Sequence, residues 1–189
     1  MYGYGEEDED NPLRAGMWMD GDSLAPPCGC EMSVISPLLQ LLSLKDTDVL
    51  FDLGCGDGRI CFSAVLEFGV RKAIGVEIEE DVCLRMNYLI GEKKVEDKVF
   101  CMNRDLREVD IDEATVIVLY LMPEGIEAVQ DKIVKLLRKD NEEGGTGNRV
   151  RVLCNTWGFK GWTEVQKVQV CGVNLFVYDF SSLPEDVLR

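Results

Sequence analysis

Residues 51–59 read Phe51-Asp52-Leu53-Gly54-Cys55-Gly56-Asp57-Gly58-Arg59, and this stretch decides the fold. An apolar run, Val49 to Leu53, breaks at three alternating glycines. Beyond them Ile60, Cys61, Ala64, Val65 and Phe68 recur on one helical face until Gly69 stops the pattern. A strand that turns straight into a helix sets backbone amides and the helix N-terminus at the strand's carboxyl end. Glycines in that turn let a ligand approach the main chain closely.

The same alternation extends outward. Upstream, Val34, Ile35, Leu38, Leu39, Leu41 and Leu42 keep helical spacing, with Ser36-Pro37 read as the cap and first helical position. Downstream come a strand from Ala73 to Ile78, a helix carrying Val82, Met86 and Leu89, and strands from Lys98 to Met102 and Thr115 to Met122. The last of these is apolar throughout, the mark of a strand buried on both faces. Pro123 opens a long helix through Ile126, Val129, Ile133 and Leu136 that ends near Lys135, Arg138 and Lys139, cations suited to a helix C-terminus. After a glycine-rich loop, Asn141 to Asn148, a fifth strand spans Val150 to Asn155. The short step from Thr156 to Trp162 has no room for a crossover helix, so Thr163 to Val170 and Val173 to Phe180 read as a hairpin turned at Gly172. The expected fold is α/β: a Rossmann-like, seven-stranded, mostly parallel sheet with helices on both faces and a C-terminal antiparallel hairpin. Residues 1–32, acidic and rich in proline and glycine, read as a tail or lid that is partly disordered, with Met17-Trp18-Met19 as a docking segment, and residues 33–189 as the folded domain.

Composition narrows the chemistry. The 189 residues include no histidine, which excludes a serine or cysteine nucleophile served by imidazole. The eight cysteines sit mostly in apolar runs, and Cys28-Gly29-Cys30 has neither a second pair nor a histidine to complete a tetrahedral metal site. A net charge of −15 repels a phosphate backbone, so nucleic acid is not the expected partner and a basic protein or a small molecule is. The longest apolar run, Val116 to Met122, falls far short of the ~20 residues of a membrane span. An acidic start, Glu6 to Asp10, is unlike a targeting leader, so a cytoplasmic or nuclear location is expected.

The glycine loop lacks the Gly-Lys-Ser/Thr ending of a phosphate-cradling loop, and Arg59 stands where a dinucleotide fingerprint has its third glycine. Asp52 at the strand end would repel a pyrophosphate. It suits instead the cationic sulfonium and ammonium of S-adenosylmethionine. Glu77, closing the second strand, is placed for ribose hydroxyls, and Asp105, past the third, for an adenine amino group.

At these residues, over roughly 33 to 180, the sequence resembles the class I S-adenosylmethionine-dependent methyltransferases. The motif Asp52 to Arg59, Gly75-Val76-Glu77 and Tyr120-Leu121-Met122-Pro123-Glu124 are similar to one branch, the lysine methyltransferases of ATP synthase subunit c and the adenine nucleotide translocase with their bacterial relatives. The resemblance implies S-adenosylmethionine as cofactor, S-adenosylhomocysteine as product and no metal. It assigns Asp52, Gly54, Cys55, Gly56 and Gly58 to the methionine end, Glu77 to the ribose and Asp105 to adenine, with Ile78 and Leu106 as further cofactor-binding residues. Asp57 reads as a cap for the following helix. Tyr120 is expected to orient the acceptor and Glu124 to attract a cationic one, with Trp157 projecting from the fifth strand. Two departures stand out: Cys28-Gly29-Cys30 falls where the branch has a Pro-Ser/Thr step, and the acidic tail differs from the mitochondrial leader. The fourth strand lacks the Asn/Asp-Pro-Pro-aromatic motif of enzymes that methylate planar nitrogens. The expectation is a protein lysine N-methyltransferase. The alternatives are a small-molecule methyltransferase, a histone-directed enzyme of related fold, and a noncatalytic cofactor-binding scaffold.

Overall fold

The computed structural model describes residues 24–26, 29–142 and 149–188. The acid run, Met17-Trp18-Met19, Cys28 and most of the glycine-rich loop lie outside the described residues. In chain order the elements are α1 (Met32–Leu41), β1 (Val49–Leu53), α2 (Arg59–Leu66), β2 (Lys72–Glu77), α3 (Glu80–Lys93), β3 (Val99–Asn103), β4 (Val116–Leu119), α4 (Pro123–Glu142), β5 (Arg151–Asn155), β6 (Gln166–Val170) and β7 (Val173–Tyr178). A 3₁₀ turn at Phe180–Ser182 and a short α5 (Glu185–Leu188) follow.

The seven strands form one sheet in the order β3-β2-β1-β4-β5-β7-β6. The first five are parallel, and β7 runs antiparallel to both β5 and β6. The chain leaves β1 toward β2 and β3, then returns to the other side of β1 as β4. That reversal opens a crevice at the carboxyl ends of β1 and β4, the usual place for a ligand in such sheets. One apolar layer packs α1, α2 and α3 on one face, through Leu38, Leu39, Cys61, Ala64 and Met86. The other packs α4 on the opposite face, through Val129, Ile133 and Leu137, with Phe159 and Trp162 stacked 4.1 Å apart between centroids.

Most element limits agree with the sequence reading to within a residue or two, but three depart from it. Helix α1 starts at Met32, so Pro37 lies inside it rather than opening it. An interior proline costs about 3 kcal/mol. Burial of Val34 and Ile35, each worth roughly 1.5–3 kcal/mol, offsets that cost. Strand β4 ends at Leu119, because Tyr120 to Met122 leave the ladder and the Met122 N–H donates to Leu24 O at 2.8 Å. The hairpin is shorter at both outer ends. On its far side Asp179 caps a 3₁₀ turn, accepting from the Ser181 N–H.

Candidate active site

All three loop glycines adopt left-handed backbone, with φ of 85° at Gly54, 54° at Gly56 and 79° at Gly58, which L side chains rarely accept. The Gly54 and Cys55 N–H groups both donate to Val76 O, at 2.8 and 3.0 Å, fastening the loop to β2. Gly58 is the N-cap of α2. Asp57, one residue earlier, serves the first helical N–H, accepting from Arg59 N at 3.2 Å, and also grips the Arg59 guanidinium at 2.6 Å. The same guanidinium reaches Cys30 O at 2.9 Å, tying the loop to the segment ahead of α1.

Asp52 is 2% exposed, and its Oδ2 has no hydrogen-bond partner among the described residues. Burial, reinforced by Asp57 and Glu77, pushes its carboxyl up to about 8. A buried carboxyl with an unclaimed oxygen is what a cationic ligand needs. This fits the sulfonium and ammonium of S-adenosylmethionine, as do the bare glycines above it. Glu77 closes β2 with both oxygens in use: Oε2 accepts from Gly56 N at 3.0 Å, and Oε1 from Ile78 N and Glu79 N at 2.8 and 3.1 Å. A carboxylate offers about four acceptor positions, so one stays open and a second ribose hydroxyl must displace a backbone donor. Ile78 is 47% exposed beside it, an apolar surface of the kind a flat base covers.

Asp105 turns onto its own loop. Arg107 holds both of its oxygens, at 2.5 to 2.9 Å, and keeps the carboxyl below the usual carboxylate range. An adenine amino group would share those oxygens. Leu106 is half-buried against the α4 layer. Tyr120, half-buried just past β4, packs on the opposite, α1 and α2 layer. It directly follows Leu119, the last β4 residue in register with Leu53 and Cys154, and so sits at the carboxyl ends of β1 and β5. Glu124 is exposed in the first turn of α4. Trp157 packs with the α4 layer, so it and Tyr120 lie on different faces of the sheet. Cys55 contributes main chain alone to the turn, since its thiol is buried in the layer beneath.

Four features escaped the sequence reading. Asn155, 2% exposed at the end of β5, donates from Nδ2 to Cys30 Sγ at 3.4 Å and accepts from Thr156 Oγ1 at 3.1 Å. Thr156 has φ of 71°, a strained state for a β-branched residue and one that recurs at functional sites. Leu24 and Ala25 cross the carboxyl ends of β1 and β4; a Cβ on Gly125 would meet Leu24 O at 2.3 Å. Lys132 of α4 donates to the carbonyls of Leu106, Arg107 and Val109 at 2.7, 2.8 and 2.9 Å, anchoring the Asp105 loop. Among the described residues no three metal-ligating side chains converge, and no helix is long and apolar enough to cross a membrane.

An open sheet of this strand order, with a glycine turn after β1 and an acid closing β2, is that of a class I S-adenosylmethionine-dependent methyltransferase. Residues 52–166 match the family model of the ANTKMT methyltransferase domain, and the chain belongs to that family. It is 33% identical over 147 residues to a protein-lysine N-methyltransferase of Saccharolobus islandicus, a match covering 77% of this chain and 86% of the relative. Among solved structures it is similar to an RNA methyltransferase from Salinibacter ruber in complex with S-adenosyl-L-homocysteine. That pair has a TM-score of 0.74 and 28% identity, covering 85% of this chain and 99% of the other. A tRNA m1G37 methyltransferase of M. jannaschii shares the fold at a TM-score of 0.57 and 13% identity, over 86% of this chain and 53% of its own.

Proposed function

We propose that this methyltransferase acts on lysine amines of a basic protein. The observation that carries the reading is the 33% identity to a protein-lysine N-methyltransferase along most of both chains. The net charge of −15 supports it, because an acidic surface gathers basic partners.

S-adenosylmethionine, when bound, supplies an electrophilic methyl on a sulfonium. The chain's own residues do the rest. Asp52, with its buried unpartnered oxygen, would hold the cofactor's positive charge and release its own proton in doing so. Gly54, Gly56 and Gly58 would leave room for the methionine end, Glu77 would accept from the ribose, and Ile78, Asp105 and Leu106 would form the adenine side. Glu124, exposed at the entrance of α4, draws in the ammonium. Tyr120 orients the amine once it has lost its proton, a loss that desolvation favours for a group whose solution pKa is about 10.4. Because methyl transfer needs alignment more than acid–base power, the missing histidine is no handicap.

The test is incubation with isotopically labelled S-adenosylmethionine and cell extract, then protease or ribonuclease digestion. Label released by protease and recovered as methyl-lysine supports the proposal. Label in RNA alone overturns it in favour of the second reading, an RNA acceptor, which the Salinibacter relative motivates and the acidic charge opposes.

A further inference from the structure

Three thiols gather between α3 and the sheet, one layer beneath the glycine loop. Cys55 Sγ lies over Gly75, where a Cβ would come within 2.5 Å of it. Gly75 in turn stands opposite Cys101 in the register of β2 with β3. The missing side chain leaves a gap between the two positions, in the layer where both cysteines pack. Cys83, in the first turn of α3, donates from Sγ to Glu77 O at 3.4 Å, as Cys55 does to Gly56 O at 3.7 Å. Cys55 and Cys83 are buried, whereas Cys101 is only half-buried. Solvent therefore reaches Cys101 first. The neighbouring Cys55 thiol, and after it Cys83, favours the Cys101 thiolate and draws it down to about 7, while Cys55 and Cys83 are pushed up.

We propose that Cys101 is an oxidation site, at which a hydroperoxide joins it to Cys55 in a disulfide that ties the glycine loop to β3 and weakens cofactor binding. The last clause rests on the methyltransferase reading. The Cys101 thiolate attacks the peroxide, forming an S–O bond as O–O breaks and releasing hydroxide or alkoxide. Cys55 then loses its thiol proton and attacks that sulfur. The S–S bond forms, the S–O bond breaks, and the departing oxygen leaves as water. Two sulfurs are oxidised by one electron each, and the peroxide takes up both electrons. Cys55 is the partner rather than Cys83 because the gap over Gly75, opposite Cys101, opens onto it.

The experiment uses the reduced full chain treated with hydrogen peroxide, peptide mapping by mass spectrometry, and calorimetry with S-adenosylhomocysteine before and after. A Cys55–Cys101 linked peptide is expected, with a roughly tenfold rise in Kd that dithiothreitol reverses. Cys101→Ser should bind the ligand as the reduced protein does and ignore peroxide. The proposal is overturned if Cys101 stays unlinked to Cys55, or if the bond forms and Kd does not move. Reduced protein that binds no S-adenosylhomocysteine refutes the methyltransferase reading instead, and the linked peptide still decides the oxidation site.

Discussion

Replacing Asp52 with asparagine keeps the shape of the side chain and removes its charge, which makes it the sharpest probe of the site. In the folded chain the carboxyl rises from 3.8 to about 8, with burial as the largest cause and Asp57 and Glu77 adding to it. The folded state then holds a proton that the unfolded state has released. Stability therefore falls as pH rises between those two values, and is flat beyond about 8. At 1.36 kcal/mol per tenfold, raising the pH from about 5 to about 8 costs the wild type up to about 4 kcal/mol at this one group. The asparagine variant escapes that cost. Urea unfolding at both pH values should show Asp52→Asn gaining on the wild type as pH rises, with shared titrations cancelling in the difference. Binding should move the other way. Loss of a carboxylate facing a cation, worth about 2 kcal/mol, weakens S-adenosylmethionine roughly thirtyfold by calorimetry. S-adenosylhomocysteine, which lacks the sulfonium, should lose less. A variant with unchanged affinity for both compounds and no pH-dependent gain would refute the assignment of Asp52 as the cation's partner.

Other changes test the parts around it. Gly125→Ala pushes a methyl into Leu24 O, so the crossing segment must move; a loss of about 1–3 kcal/mol is expected from urea unfolding, exceeding the ~1 kcal/mol that alanine adds to a helix. Lys132→Met leaves three carbonyls without their donor, and should raise KM for S-adenosylmethionine by about tenfold with kcat little changed, the sign of a loop that binds rather than reacts. Tyr120→Phe should lower kcat by about tenfold or more, and Glu124→Gln should raise KM for a lysine-bearing protein while leaving calorimetric cofactor affinity intact. Full turnover in both would remove those roles.

Much of this was legible in the sequence because most strands are near-continuous apolar runs and Gly54, Gly58, Pro123 and Gly172 fall at element boundaries. Asp52, Gly54, Gly56, Gly58 and Glu77 fall within one β-turn-α-β unit, so local order sets their neighbourhood. Pro37 misled, since its usual place is the first turn and only the burial of Val34 and Ile35 from the other side extends the helix past it. Asn155 could not be read at all: its partner Cys30 lies 125 residues away, and a lone polar residue at a strand end looks like any loop residue. The crossing of Leu24 over Gly125 is likewise a long-range fact, with a glycine in the first turn of α4 as its sole local trace. Asp105 lies just past β3, where the strand pattern puts it, but Arg107, two residues on, occupies its carboxylate.

The contacts Asp57 to Arg59, Arg59 to Cys30 and Cys30 to Asn155 form a chain that runs from the turn after β1, through the segment leading into α1, to the tip of β5. These residues encircle part of the crevice's rim, and none can shift without disturbing the next. Free energies measured for single replacements along that rim should therefore fail to sum, and a double replacement of Arg59 and Asn155 should cost less than its two halves together.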